Sequence, residues 1–123
     1  MIRPLLVGLL AATALAGCSK APSTPTASAA GGPAQVSIVA TSVGCAPSPA
    51  TLPAGPMTFT VRNDGAPAVS EVELQQGGRM LGEKENLVPG LGGSFSLRLG
   101  QGTYTVYCPG AKAPRSSFVV TPS

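Results

Sequence analysis

One stretch near the C-terminus constrains the fold more than any other. Residues 102–110 read Gly-Thr-Tyr-Thr-Val-Tyr-Cys-Pro-Gly, in which β-branched and aromatic residues favour a strand and Pro-Gly ends it. Because strand side chains alternate between two faces, Tyr104, Val106 and Cys108 share one face. We therefore expect Cys108 to end a strand on its apolar, core-facing side, where it is either half of a disulfide or a ligand directed into a site.

The rest of the chain from Ala34 onward repeats this pattern of short strands and turns. Segments of strand-forming residues are separated by Gly, Pro and Asn-Asp-Gly turns at intervals of about 8–12 residues, and no helical period is present. A content of 16 Gly and 13 Pro with no Trp agrees with many turns. The sequence therefore predicts an all-β domain over residues 34–123, a β-sandwich of about seven strands, at 35–42, 57–63, 70–75, 80–86, 94–99, 103–108 and 117–121.

The N-terminal third has the pattern of an exported, lipid-anchored protein. Residues 1–17 combine a positive start with an apolar run too short to span a membrane in a mature protein, and Leu15-Ala-Gly-Cys18 resembles the lipobox of bacterial lipoproteins. Cleavage at a lipobox precedes the cysteine, which receives the lipid. We expect residues 1–17 to be a signal peptide and Cys18 to be lipidated. Residues 18–33, rich in Ala, Pro, Ser and Thr, are predicted to be a flexible tether that holds the domain at a membrane of the bacterial envelope, facing the periplasm or the outer side.

The residue inventory argues against two classes of function, nucleic-acid binding and catalysis. No basic run suggests nucleic-acid binding, and the chain has no histidine, which removes the commonest general base and transition-metal ligand. No nucleophile pairs with a base, so we predict that the protein is not an enzyme.

The acidic residues form the more informative pattern, because all five lie between positions 64 and 85. Alternation places Glu71 and Glu73 opposite the apolar face of their strand, which is expected of any solvated strand face. The alternative is a carboxylate cluster with Glu83 or Glu85 on the next strand, suited to a hard cation such as Fe³⁺. Such close like charges require compensation by a cation, or by Lys84 or Arg79.

Several motifs together resemble the EfeO-type cupredoxin-like domain of bacterial periplasmic iron-uptake proteins. They are Cys45-x-Pro, Leu52-Pro-Ala-Gly, Phe59-x-Val-x-Asn, Glu71-x-Glu-Leu, Gly82-Glu-x-Glu-Asn-Leu-x-Pro-Gly, Phe95 and Gly102-x-Tyr-x-x-x-Cys-Pro. The resemblance implies a cupredoxin Greek-key sandwich, an extracytoplasmic role in handling iron or copper, and other envelope metal-uptake proteins as partners. It also places Cys45 and Cys108 at one pole. In longer family members a helical metallopeptidase-like domain follows, and we expect the small domain alone here.

Residue inventory limits what metal chemistry such a domain can perform. A type 1 blue-copper site takes two His, one Cys and a weak axial Met, whereas this chain has no His and the loop at 109–115 has no Met. That site is therefore excluded. After Cys18 is lipidated, Cys45 and Cys108 remain, either as a structural disulfide or as a bis-thiolate metal site. Met57 and Met80 are interpreted as core residues, and Tyr104 as a core aromatic whose hydroxyl lies at the edge.

Two functions follow from these observations. The first is a lipid-anchored metal-binding protein whose candidate ligands form a soft pole and a separate hard patch, namely Cys45 and Cys108, and Glu71, Glu73, Glu83 and Glu85. The alternative is a metal-free, disulfide-stapled, Ig-like interaction or structural module of the envelope.

Overall fold

The computed structural model describes Gly17 and residues 31–123 of the chain. The predicted signal peptide, apart from Gly17, and the predicted tether up to residue 30 lie outside the described residues, as does Cys18. The described part has no helix long and apolar enough to cross a membrane.

Residues 31–123 form nine strands in two sheets. The first sheet has the order β2-β1-β4-β7 and the second has the order β3-β9-β8-β5-β6. The strands are β1 Ala34–Ala40, β2 Pro47–Ser48, β3 Thr51–Pro53, β4 Gly55–Asn63, β5 Val72–Gln76, β6 Arg79–Lys84, β7 Gly92–Leu99, β8 Gly102–Tyr107 and β9 Arg115–Thr121.

The all-β sandwich predicted from the sequence is confirmed, with two strands more than expected. The extra strands, β2 and β3, contain two and three residues. Each includes a proline, which is depleted in strands, so propensity gave no sign of them. The seven longer strands coincide with the predicted segments to within a few residues, and β1 begins at Ala34.

The direction of the strands brings four loops to one end of the sandwich. β1 and β4 run parallel, with Ala40 opposite Asn63, and β7 runs antiparallel to β4. In the second sheet β8 ends beside the start of β5 and the start of β9. We call this end the upper pole and define it by the loops at 41–46, 64–71, 85–91 and 108–114. The described chain enters β1 at the opposite end.

The core lies between the inner faces of the two sheets. Strand β4 has the alternation typical of a strand with one buried face, and Met57, Phe59 and Val61 are all buried. The Phe59 ring stacks on Phe95 with centroids 5.1 Å apart and meets the edge of Phe118 at 5.6 Å. Aromatic contacts of this kind add about 0.5–1.5 kcal/mol to the burial of apolar area.

The two methionines have different environments. Met57 is buried, as predicted, but Met80 is 47% exposed, so the prediction that it is a core residue was wrong. The register of β5 and β6 shifts between Leu74 and Gln75, and this irregularity pairs Met80 with Gln75 rather than with an inward-facing residue. Tyr104 matches its prediction, since its ring is buried and its hydroxyl donates to the Gly100 carbonyl at 2.7 Å.

Candidate functional site

The upper pole is closed by a disulfide between Cys45 and Cys108. The two sulfurs are bonded, both residues are buried, and 63 positions of sequence separate them. Of the two alternatives for these cysteines, the structure contains the disulfide. In this oxidised state neither sulfur is a thiolate, which is the form that binds a metal.

Backbone hydrogen bonds join the two loops that carry these cysteines. The Lys112 amide donates to Ser42 O at 3.0 Å, and the Ala113 amide donates to Val43 O at 2.8 Å. Gly44 fits under Ala113, where a Cβ atom would lie only 2.9 Å from the Ala113 carbonyl oxygen. The two loops that the disulfide links are therefore also joined by hydrogen bonds between their backbones.

A fully buried amide, Asn63, holds the other two loops of the upper pole. Its Nδ2 lies 2.9, 2.8 and 2.6 Å from the carbonyl oxygens of Ala66, Val69 and Leu87, and its Oδ1 accepts from the Ala66 amide at 2.8 Å. One side chain thus ties the loops at 64–71 and 85–91 to the end of β4. The Asn-Asp-Gly sequence indicates a turn at Asn63 but not this role, because the carbonyls of Val69 and Leu87 lie beyond the turn.

Three of the predicted acidic residues meet on the outer face of the second sheet. Carboxylate oxygens of Glu71, Glu73 and Glu83 lie within 4.8 Å of one another, and all three residues are half-buried. Glu73 and Glu83 are direct partners across β5 and β6, and Glu71 precedes Glu73 by two positions on the same face. We call these three residues the carboxylate cluster.

The other two acids stand differently. Glu85 is exposed, and its carboxylate is near enough to Glu83 to raise the pKa of Glu83. Asp64 lies apart at the upper pole and forms a 3.7 Å ion pair with Arg62. The predicted window of five acids therefore resolves into a cluster of three, one neighbour and one unrelated residue.

The pKa of Glu83 is raised above its ordinary value. Partial desolvation of its carboxyl group is the largest cause, followed by the negative charges of Glu85, Glu71 and Glu73 and a hydrogen bond to Glu85. The carboxyl group of Glu83 therefore holds its proton more tightly, first because it is partly desolvated and then because three negative charges lie near it.

The predicted compensation by Lys84 or Arg79 does not form. Within residues 31–123 the one ion pair is that between Arg62 and Asp64. Lys84 extends past Gly93 on β7 and donates to the Glu85 carbonyl at 2.9 Å, while Arg79 lies at the far end of β6. The polar partner found at the cluster is Gln75, whose Nε2 donates to Glu73 Oε2 at 2.6 Å.

The disulfide and the carboxylate cluster lie on opposite faces of one sheet. Glu73 pairs with Tyr107 across β5 and β8, and the side chains of such a pair share a face. Cys108 follows Tyr107 directly, so its side chain points inward, and it is buried. A single site that combines Cys108 with these carboxylates would require a ligand set drawn from both sides of the sheet.

A family model described as Cupredoxin-like domain matches residues 7–120. The chain belongs to the cupredoxin-like family. Two solved structures share the fold of this cupredoxin-like protein at low sequence identity. One is the dithionite-reduced auracyanin of Roseiflexus castenholzii, with a TM-score of 0.58 and 17% identity, which covers 75% of this chain and 100% of that chain. The other is auracyanin B, with a TM-score of 0.58 and 20% identity over 75% of this chain and 92% of that one. No curated protein matches the chain.

Proposed function

We propose that this cupredoxin-like protein is a lipid-anchored metal-binding protein of the EfeO type, which handles iron or copper in the bacterial envelope without a type 1 blue-copper site. The observation that carries the proposal is the carboxylate cluster, in which three ligand oxygens lie within 4.8 Å of one another. Within residues 31–123 no lysine or arginine forms an ion pair with any of the three.

The chemistry of the cluster favours iron over copper. Carboxylate oxygens are hard ligands, and the cluster offers oxygen from three side chains with Glu85 beside them. A trivalent cation would replace the mutual repulsion that raises the pKa of Glu83 with attraction to all four carboxylates. The oxidised cysteines offer no thiolate for a soft ion such as Cu(I).

The position of the cluster suits an ion that is captured and passed on. Glu71, Glu73 and Glu83 are half-buried on the face of a sheet rather than enclosed in the core. An ion held there keeps part of its coordination sphere open to water or to a ligand from a partner. This agrees with the EfeO-type resemblance, which supplies the expectation of envelope iron-uptake proteins as partners.

Metal analysis of protein purified without added metal tests the proposal, with a free-thiol count on the same sample. We expect iron bound in proportion to protein, no free thiol at Cys45 or Cys108, and loss of the iron in a Glu83→Gln variant. The matched control is Asp64→Asn, which removes a carboxylate that lies outside the cluster and should leave the iron in place. Protein that carries no metal, and that takes up no Fe³⁺ when it is supplied as ferric citrate, would contradict the proposal.

The anchor is tested separately, because it does not depend on the metal. The Leu15-Ala-Gly-Cys18 sequence predicts that Cys18→Ser abolishes acylation and releases the protein from membranes. Incorporation of labelled palmitate and membrane fractionation measure this directly. Unchanged labelling and fractionation in the variant would contradict lipid anchoring while leaving the metal site untouched.

One observation favours a second candidate function, a metal-free interaction module. Three large apolar side chains at the upper pole are exposed, namely Val43 at 63%, Val88 at 55% and Leu91 at 52%. Hydrogen bonds from Asn63 hold the loop that carries two of them. If the protein binds no metal, these exposed apolar side chains and the disulfide-closed pole are the features that suit docking of an envelope partner.

A further inference from the structure

We infer that Gln75, itself held by Arg115, is a positioning residue that fixes the Glu73 carboxylate within the carboxylate cluster. Its effect on cation affinity rests on the proposed function, since a fixed Glu73 changes affinity only if the carboxylate cluster binds a cation. The geometric part concerns the metal-free protein and can be tested there.

The orientation of the Gln75 amide follows from its two partners. Its Nε2 donates to Glu73 Oε2 at 2.6 Å, and its Oε1 accepts from Arg115 Nη1 at 3.1 Å. An ionised carboxylate can only accept hydrogen bonds and a guanidinium can only donate them. The reversed amide would satisfy neither partner, so the order Glu73, Gln75, Arg115 fixes which end of the amide faces the cluster.

Arg115 is in turn held over an aromatic ring. Its guanidinium carbon lies 4.2 Å from the centroid of the Tyr107 ring. The strand register explains the arrangement, because Glu73 pairs with Tyr107 and Tyr107 pairs with Arg115 across three adjacent strands. Tyr107 thus lies between Glu73 and Arg115 across the sheet. The side chain of Gln75, two positions after Glu73 on β5, connects the two by its hydrogen bonds.

This arrangement restrains Glu73 without neutralising it. Glu71 lies just before β5, and Glu83 and Glu85 lie on the β6 side of Glu73. Tyr107 on β8 and Arg115 on β9 complete its surroundings. Repulsion from the other acids favours rotation of Glu73 away from the cluster. The amide hydrogen bond opposes that rotation, while the positive charge of Arg115 stays beyond Gln75. Glu73 Oε1 remains free to bind a cation.

The test compares Gln75→Leu, Arg115→Leu and their double variant with the matched control Gln76→Leu. The control removes the amide side chain of the next residue, whose backbone pairs with Arg79 at the turn of the hairpin, away from the cluster. Fe³⁺ supplied as ferric citrate is the probe. We expect Gln75→Leu to weaken binding by about tenfold, the effect of one hydrogen bond to a charged group. Arg115→Leu should have a smaller effect in the same direction. The double variant should bind no more weakly than Gln75→Leu, because Arg115 acts through Gln75.

A second measurement needs no metal. NMR of the Gln75 side-chain amide reports its hydrogen bond to Glu73 directly. Its protons should be protected from exchange with solvent in the parent, and Arg115→Leu should reduce this protection because it removes the donor to Gln75 Oε1. The exposed side-chain amide of Gln76 is the control in the same spectra and should not change. A merely structural role for Gln75 would alter the melting temperature without this dependence on Arg115.

The outcomes separate the inference from the proposed function. If the parent binds Fe³⁺ and Gln75→Leu binds it equally well, positioning by Gln75 is wrong and the metal-binding function stands. If the parent binds no Fe³⁺, the proposed function is wrong. In that case a Gln75 side-chain amide that is protected from exchange in the parent and loses this protection in Arg115→Leu still supports the positioning, and an amide that exchanges as freely as that of Gln76 overturns it.

Discussion

The two faces of the second sheet near the upper pole have opposite physical character. On the inner face Cys108 is bonded to Cys45, and at the same pole the buried Asn63, at the end of β4 in the first sheet, has partners for both ends of its amide. Among residues 31–123 no buried side-chain nitrogen or oxygen lacks a hydrogen-bond partner. On the outer face three carboxylates meet without an ion pair.

In the proposed function the inner face provides stability and the outer face provides the metal ligands. A fully satisfied buried network gains nothing from a ligand, whereas a set of repelling acids does. Consecutive residues of the chain belong to the two faces, since Tyr107 faces outward with Glu73 and Cys108 faces inward. Variants that act on one face should therefore leave the property of the other almost unchanged.

The largest expected effect comes from opening the disulfide. Cys45→Ser should lower the free energy of unfolding by about 2–5 kcal/mol, because a link across a long loop restricts the unfolded chain. Denaturant unfolding with and without reductant measures this, and reductant should bring the parent to the level of the variant. If Cys45→Ser were as stable as the oxidised parent, the disulfide on the inner face would not be a source of stability.

The next effect concerns Asn63, which stabilises the same pole without a covalent bond. Asn63→Leu should lower the free energy of unfolding by about 3 kcal/mol, because it leaves several buried backbone groups without their partner. Asp64→Asn is the control, since it changes the neighbouring exposed residue and only a surface ion pair. Equal unfolding curves for Asn63→Leu and Asp64→Asn would show that the amide does not hold these loops.

The smallest effect is a pH dependence that belongs to the outer face. Because the pKa of Glu83 is raised in the folded protein, its contribution to stability is present below its unfolded pKa and is lost as pH rises through the folded pKa. Glu83→Gln should abolish this loss of stability. The stabilities of the parent and the variant should therefore diverge as pH rises from the unfolded pKa of Glu83 through its folded pKa. Urea unfolding across pH follows the difference. A parent that gains stability relative to Glu83→Gln over the same pH range would contradict the raised pKa.

Local alternation was enough to predict the faces, and that is why much of the fold followed from the sequence. The inward set Met57, Phe59 and Val61 and the outward pair Glu71 and Glu73 need only a period of two. The exposed Met80 could not be predicted this way, because a register shift between two strands is decided by their pairing and leaves no mark on periodicity.

The candidate site likewise has features that the sequence could predict and features that it could not. Its acids could be named from the sequence, because neighbouring strands of a hairpin bring such residues together. The sequence could not predict that Lys84 leaves these acids uncompensated, because the Lys84 side chain reaches toward β7 instead. The contact of Gln75 with Arg115 joins positions 40 residues apart, and only the assembled sheet places them together.

The central claim is that metal binding belongs to the outer carboxylates and stability to the inner disulfide. Titration calorimetry with ferric citrate on the parent, on Glu71→Gln combined with Glu73→Gln, and on oxidised Cys45→Ser below its melting temperature tests it most directly. We expect the glutamate variant to lose Fe³⁺ binding while its melting temperature stays near that of the parent, and Cys45→Ser to bind Fe³⁺ like the parent while melting lower. A glutamate variant that binds Fe³⁺ as the parent does would contradict the claim.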